Sequence, residues 1–157
     1  MARSLLALGF ALILGTLPLA APQDRAEEQY RFLAGLVDEG LFDMAVKEAQ
    51  SFLRDYPEHT RAPLARYRLA GALWELGRRD EAAREYESLA RLDGFEYRAE
   101  SLFRVGEAAR ENGDEKRARA ALGAVLRGDQ TYLHAPARLA LAELDFAAQR
   151  WDAAEQG

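Results

Sequence analysis

Cysteine is absent from the 157 residues. With it go disulfides, thiolate metal sites and the lipid-bearing cysteine that an exported bacterial lipoprotein needs at its processing site. Histidine is almost absent: His59 and His134 are the only side chains whose ordinary pKa lies near neutrality, and they stand 75 residues apart. No G-x-S-x-G, H-E-x-x-H, Walker loop or acidic calcium loop occurs. An enzyme therefore has no residues to stand on, and no cofactor or metal is implied. Basic charge is also short, with 21 basic against 26 acidic residues and a net charge of −5. Nucleic acid is excluded as a partner, because its phosphates need a basic stripe. Strand formers are the last shortage: β-branched residues are few, no alternating pattern appears, and Ala, Leu, Glu and Arg dominate. That profile is helical.

The first 21 residues differ from the rest. Arg3 and Ser4 precede an uncharged, almost wholly apolar run from Leu5 to Leu17, followed by Pro18 and the small pair Ala20 and Ala21. This is the order of a secretory signal peptide. The preferred cut follows Ala20; a cut after Ala21 leaves Leu19 at the third position back and Pro22 just beyond. The alternative is an uncleaved anchor, since Leu5 to Ala21 is 17 residues, at the short limit of the roughly 17 to 25 needed to span a bilayer. Without a cysteine to carry lipid, membrane attachment comes only through that helix or through a partner. The expected division is therefore residues 1–21 as the export segment and 22–157 as the domain. Once Arg3 is removed, 20 basic residues oppose 26 acidic ones, a net of −6.

After residue 24 the chain repeats one plan. Gly40 to Ala45 (GLFDMA), Gly77 to Ala82 (GRRDEA) and Gly113 to Ala118 (GDEKRA) are spaced by 37 and 36 residues, and Gln149 to Ala154 (QRWDAA) follows 36 later. A fixed period of this length marks a helical repeat. The pattern predicts first (A) helices over Arg25 to Asp38, Ala62 to Leu76, Tyr97 to Asn112 and Leu133 to Ala148. The second (B) helices are Asp43 to Asp55, Asp80 to Leu92 and Asp114 to Leu126, with a stub from Asp152. The units are 25–58, 62–94, 97–129 and an incomplete 133–157. Gly40, Gly77 and Gly113 suit the left-handed conformation that ends a helix, and Asp43, Asp80 and Asp114 are placed to accept the first free N–H groups of the next. Pro63 and Pro136 fall in first turns, where a missing N–H costs little. Small residues recur where helices must approach: Ala70, Gly106 and Ala142 in A helices, and Ala45, Ala82, Ala118 and Ala154 in B helices.

With Leu69, Val105 and Leu141 before the A-helix small residues, and Tyr86 and Leu122 four after two of the B alanines, these positions resemble the tetratricopeptide repeat, over about Arg25 to Gly157. Phe32 and Leu33 depart from the pattern in the first unit and Asp145 in the fourth. The resemblance implies an all-α, right-handed solenoid of antiparallel helix pairs, about three and a half repeats long. The stretches Ser51 to Ala90 and Leu102 to Leu126 are similar to the repeats of two bacterial envelope families, the Tol-Pal cell-division coordinator and the outer-membrane-assembly lipoproteins. That likeness implies an exported interaction protein of the bacterial periplasm or cell envelope. The coordinator's coiled coil and the lipoproteins' acylated cysteine are both missing here.

In such a superhelix the A helices line the concave groove. Its inward positions pair at a spacing of seven, two turns apart on one face: Tyr30 with Val37, Tyr67 with Trp74, Phe103 with Arg110, and Leu139 with Phe146. This reads as an aromatic ladder for a peptide or protein segment. The alternative, rings packed between neighbouring A helices as core, is favoured for Tyr30 and Phe103, and groove exposure for Tyr67 and Trp74. Asp38, Glu75 and Glu111 share one position in the last turn of three A helices, where the macrodipole disfavours negative charge. With Glu107 and Glu143 they form an acidic column suited to a basic peptide, unless they are solvated or paired with Arg78, Arg79 or the next repeat. The carboxylate clamp of some relatives needs Lys, Arg and Asn at these positions, so a chaperone-tail receptor is not expected.

His59 and His134 lie in links before A helices and read as exposed loop residues. The last A helix would show Leu141 and Leu144 to water, although solenoids finish with a polar cap. Either the chain is the front of a longer protein, such as the non-catalytic arm of an envelope enzyme, or the uncapped end self-associates.

Overall fold

The computed structural model describes residues 22–155, with side-chain surroundings for residues 25–149. The proposed export segment 1–21 and Ala154 lie outside what is described. Seven α-helices follow in order: α1 (Pro22–Asp38), α2 (Phe42–Asp55), α3 (Ala62–Glu75), α4 (Arg79–Ala90), α5 (Arg98–Glu111), α6 (Glu115–Leu126) and α7 (His134–Glu155), with one 3-10 turn at Thr131–Leu133 before α7. No strand occurs among the described residues, and no described helix is long and apolar enough to cross a membrane. Each helix packs against the next, which makes three A–B pairs (α1/α2, α3/α4, α5/α6) and a fourth A helix.

One device ends the first helix of every pair. Gly40, Gly77 and Gly113 each sit at φ +73°, where a Cβ would clash with the following carbonyl. The N–H after each glycine reaches back to the carbonyl five residues earlier: Leu41 to Leu36 at 2.8 Å, Arg78 to Leu73 at 2.9 Å and Asp114 to Ala109 at 2.8 Å. These are three copies of the Schellman turn, satisfying carbonyls the helix leaves unpaired. Because the turn closes so tightly, the next helix starts one residue after the glycine. Leu41, Arg78 and Asp114 are the N-caps, and only Asp114 uses its side chain, accepting from the Arg117 N–H at 3.0 Å. Asp43 and Asp80, expected as caps, lie inside the first turn instead. Asp80 there accepts from Asn112 Nδ2 at 2.7 Å, tying the second repeat to the third.

The fourth unit departs from the plan. Gln149 stands where glycine ended the other A helices, and among the described residues no non-glycine residue adopts positive φ. With nothing to break it, α7 continues to Glu155, so the expected turn and separate stub from Asp152 do not form.

Small residues do mark the close approaches. Ala45, Ala70, Ala82 and Ala118 are completely buried, and a Cβ on Gly106 would lie 2.7 Å from Leu122 Cγ. Ala142 is exposed, contrary to expectation, because α7 has no B helix folded onto it. The core forms two clusters. One spans α1 to α4 around Phe52, Leu33 and Leu89, and the other joins Ala109 of α5 to Leu122 and Val125 of α6 and to Ala137, Ala140 and Leu144 of α7. Leu144 is therefore buried and Leu141 half-buried against that cluster, not open to water as expected. The face of α7 that would look outward to nothing is turned inward onto α6.

Candidate interaction groove

The A helices stand side by side unevenly. α1 touches α3 and α5 touches α7, but α3 and α5 stay more than 8 Å apart, Cα to Cα. Large rings occupy that junction. Tyr67 of α3 stacks on Tyr97, the residue before α5, at 4.6 Å and 16°, and meets Phe95 and Tyr86 edge-on at 6.1 and 5.8 Å. Burial raises the Tyr67 and Tyr86 phenols above their ordinary pKa, since a phenolate in this apolar cluster would be poorly solvated.

Tyr30 is half-buried, edge-on to Phe52 at 6.2 Å. Two guanidiniums of α3's N-terminal half cover it: Arg61 and Arg68 place Cζ 5.2 and 5.9 Å from the ring centre. Arg61 is fixed in turn by a two-pronged bond to Glu27 at 3.0 and 3.1 Å, which holds the Glu27 carboxyl below its usual range. Between these helices opens a cleft of about 400 Å³. Tyr30 and Val37 form one wall, Leu64, Tyr67 and Arg68 the other, and Tyr97 closes one end.

The ladder read from the sequence is thus divided. Tyr30, Val37 and Tyr67 come together on the cleft. Trp74 does not join them in the open: only 8% of it is exposed, Tyr86 packs against its edge, and Arg79 and Arg104 lie over the ring at 4.1 and 4.7 Å. Arg79 also donates to the Trp74 carbonyl oxygen. Two flanking arginines have converted an expected groove residue into a capped core residue. Phe103 is half-buried against the second cluster. Arg110 reaches α7 and pairs with Glu143 at 3.2 Å, while Leu139 and Phe146 are 62% and 57% exposed.

The acidic column is mostly neutralised. Asp38 meets Arg68 of the next repeat at 3.5 Å, Glu107 meets Arg104 at 2.8 Å, Glu111 meets Arg79 at 3.4 Å, and Glu143 meets Arg110. Glu75 is exposed and makes no ion pair among the described residues. Negative charge at the helix ends is offset between repeats, where no count along a single helix could show it. His59 and His134 are half-buried rather than exposed. His59 Nδ1 accepts from the Arg61 N–H at 3.2 Å, and His134 Nε2 lies 3.0 Å from the Gly128 carbonyl oxygen. Both shape links.

Sequence reasoning passed over Tyr97 and the arginines. A signal for the latter existed: Arg31, Arg68 and Arg104 occupy one register in three repeats, each following an aromatic inward position. Arg68 and Arg104 both use it to cover a ring of the preceding repeat.

Together these features define an all-α solenoid of tetratricopeptide-like helix pairs with an aromatic cleft on its A-helix side. Among solved structures it is similar to the type III secretion chaperone SycD of Yersinia enterocolitica in complex with a peptide of the translocator YopD, with a TM-score of 0.68 and 16% identity over 80% of this chain and 95% of that one. SycD in an alternative dimer gives 0.64 and 19%, over the same shares. No protein-family model and no curated protein matches the chain.

Proposed function

We propose that this chain is an exported scaffold that binds a peptide segment of a partner protein in the cleft between α1, α3 and the α4–α5 link. The observation that carries the reading is the cleft itself: about 400 Å³, walled by Tyr30, Tyr67, Tyr97 and aliphatic side chains. Pockets of this size, largely apolar with a few polar groups, hold an anchoring side chain. Because the acidic column is already paired, the lining favours an aromatic or aliphatic anchor over a basic one. Arg68 stands at the rim and can meet a backbone carbonyl or carboxylate of the same segment. That the similar SycD is crystallised with a peptide supports the class of ligand.

The test is a displayed library of random short peptides panned on the full chain, with enriched peptides titrated against wild type and the Tyr97→Ala and Arg68→Glu variants. Enrichment of aromatic or aliphatic anchors, with affinity falling about tenfold in Tyr97→Ala and helicity unchanged, supports the reading, since a lost aromatic contact at a hot spot is worth about 1 to 2 kcal/mol. No enrichment, or equal binding by all three proteins, removes the site from this cleft. Export rests on the apolar run Leu5 to Leu17 behind Arg3, with the envelope of a bacterium as the destination. A reporter active only outside the cytosol, fused after residue 24, should become active, and an inactive fusion refutes export.

A further inference from the structure

Independent of the peptide reading, α7 carries a second surface. Ala137, Ala140 and Leu144 face the core, and the opposite side bears Ala135, Leu139, Ala142 and Phe146, all exposed and spaced four, three and four residues apart. Tyr132, three residues before Ala135, is 61% exposed. This is a heptad seam, with large and small residues alternating along one line of a straight helix. The repeats themselves show what the position does. The residues equivalent to Phe146 are Trp74, which lies under Arg104 of the next A helix, and Arg110, which pairs with Glu143 of α7. α7 is the last described helix, so its copy of this surface remains for another helix.

We propose that the occupant is α7 of a second copy of this chain, laid antiparallel across a two-fold axis. The seam is complementary to itself in that direction only. With the axis between residues 140 and 141, Leu139 of one copy meets Ala142 of the other and Phe146 meets Ala135, large against small at every layer, and each layer occurs twice. The flanking charges agree. Arg138 comes opposite Asp145 of the other copy, whose Oδ1 is held at 2.6 Å by Arg119 of its own chain. A parallel pairing in register would set large on large and small on small. The contact is short, about four helical turns from Tyr132 to Phe146, and belongs at the small end of specific interfaces, below about 1,200 Å². It therefore forms a weak, reversible dimer.

Sedimentation equilibrium of the full chain should show the mass climb from one chain toward two between about 5 and about 500 µM, the window in which so small an interface dissociates. Ala142→Glu, at an exposed site, should keep its helicity and remain a single chain throughout. Arg138→Asp sets like charges opposite each other and should weaken the dimer about tenfold; adding Asp145→Arg should restore it to within a few-fold. The proposal is overturned if wild type stays a single chain, if its mass passes two chains, if Ala142→Glu associates like wild type, or if the double charge swap is as weak as Arg138→Asp alone.

Discussion

Replacing glycine by alanine at three helical positions should give three different answers, and the structure says which. In an open helix the change stabilises by about 1 kcal/mol, because glycine spends the most backbone entropy on folding. Gly35 of α1 has nothing within 4 Å of an added Cβ, so Gly35→Ala should show that gain. At Gly71 the nearest atom is the Tyr86 hydroxyl at 3.8 Å, an ordinary contact, and the gain should survive there too. At Gly106 the new methyl would sit 2.7 Å from Leu122 Cγ and 2.9 Å from its Cδ2. Carbon atoms rest at about 3.5 to 4.0 Å, so α5 and α6 must part by nearly 1 Å around a leucine with no exposed surface. Overpacking of this kind costs about 1 to 3 kcal/mol. Taking the upper half of that range against the helix gain leaves a net loss of about 1 to 2 kcal/mol. Urea unfolding followed by circular dichroism reads all three. In the double mutant with Leu122→Ala the clash disappears, so Gly106→Ala should become neutral or stabilising in that background. A Gly106→Ala protein as stable as wild type, or one equally damaged with and without Leu122, would refute the packing argument.

Gly77→Ala should lose about 1 to 2 kcal/mol in the same assay, since φ +73° strains any Cβ whatever the free space around it. Phe52→Ala empties the largest fully buried side chain of the core and should cost about 3 to 5 kcal/mol. In thermal melts across pH, stability should hold up to about pH 10 and fall above it, because folding raises the Tyr67 and Tyr86 pKa and the folded chain then binds protons that the unfolded chain releases; a flat profile there refutes it. On the acid side Glu27 works in the opposite sense. Its lowered pKa adds stability that is present above the ordinary glutamate range and lost as pH falls, so Glu27→Gln should flatten that limb.

The helix pairs were legible because their causes are local. Glycines every 36 or 37 residues stop helices by backbone geometry alone, and six of the seven helices end within two residues of where the sequence places them. The same rule accounts for the miss at the C-terminus: likeness of QRWDAA to the other turns counted for less than the missing glycine, and α7 ran on. The site was less legible. Spacing alone put Tyr30, Val37 and Tyr67 on one side of the solenoid, and they do share a cleft. Whether a ring at such a position faces solvent depends on what the next repeat lays over it. Trp74 is covered by Arg79 and Arg104, one from the following helix and one from the following repeat.

What the sequence by itself determined is therefore the period, the helix ends and the face each residue occupies, all properties of a chain interacting with its near neighbours. Tertiary structure alone decided which acids are neutralised, which aromatics stay open and how far apart neighbouring A helices stand. Those outcomes are set by side chains about 30 residues away in sequence, such as Arg68 on Asp38, whose reach and packing no local pattern encodes.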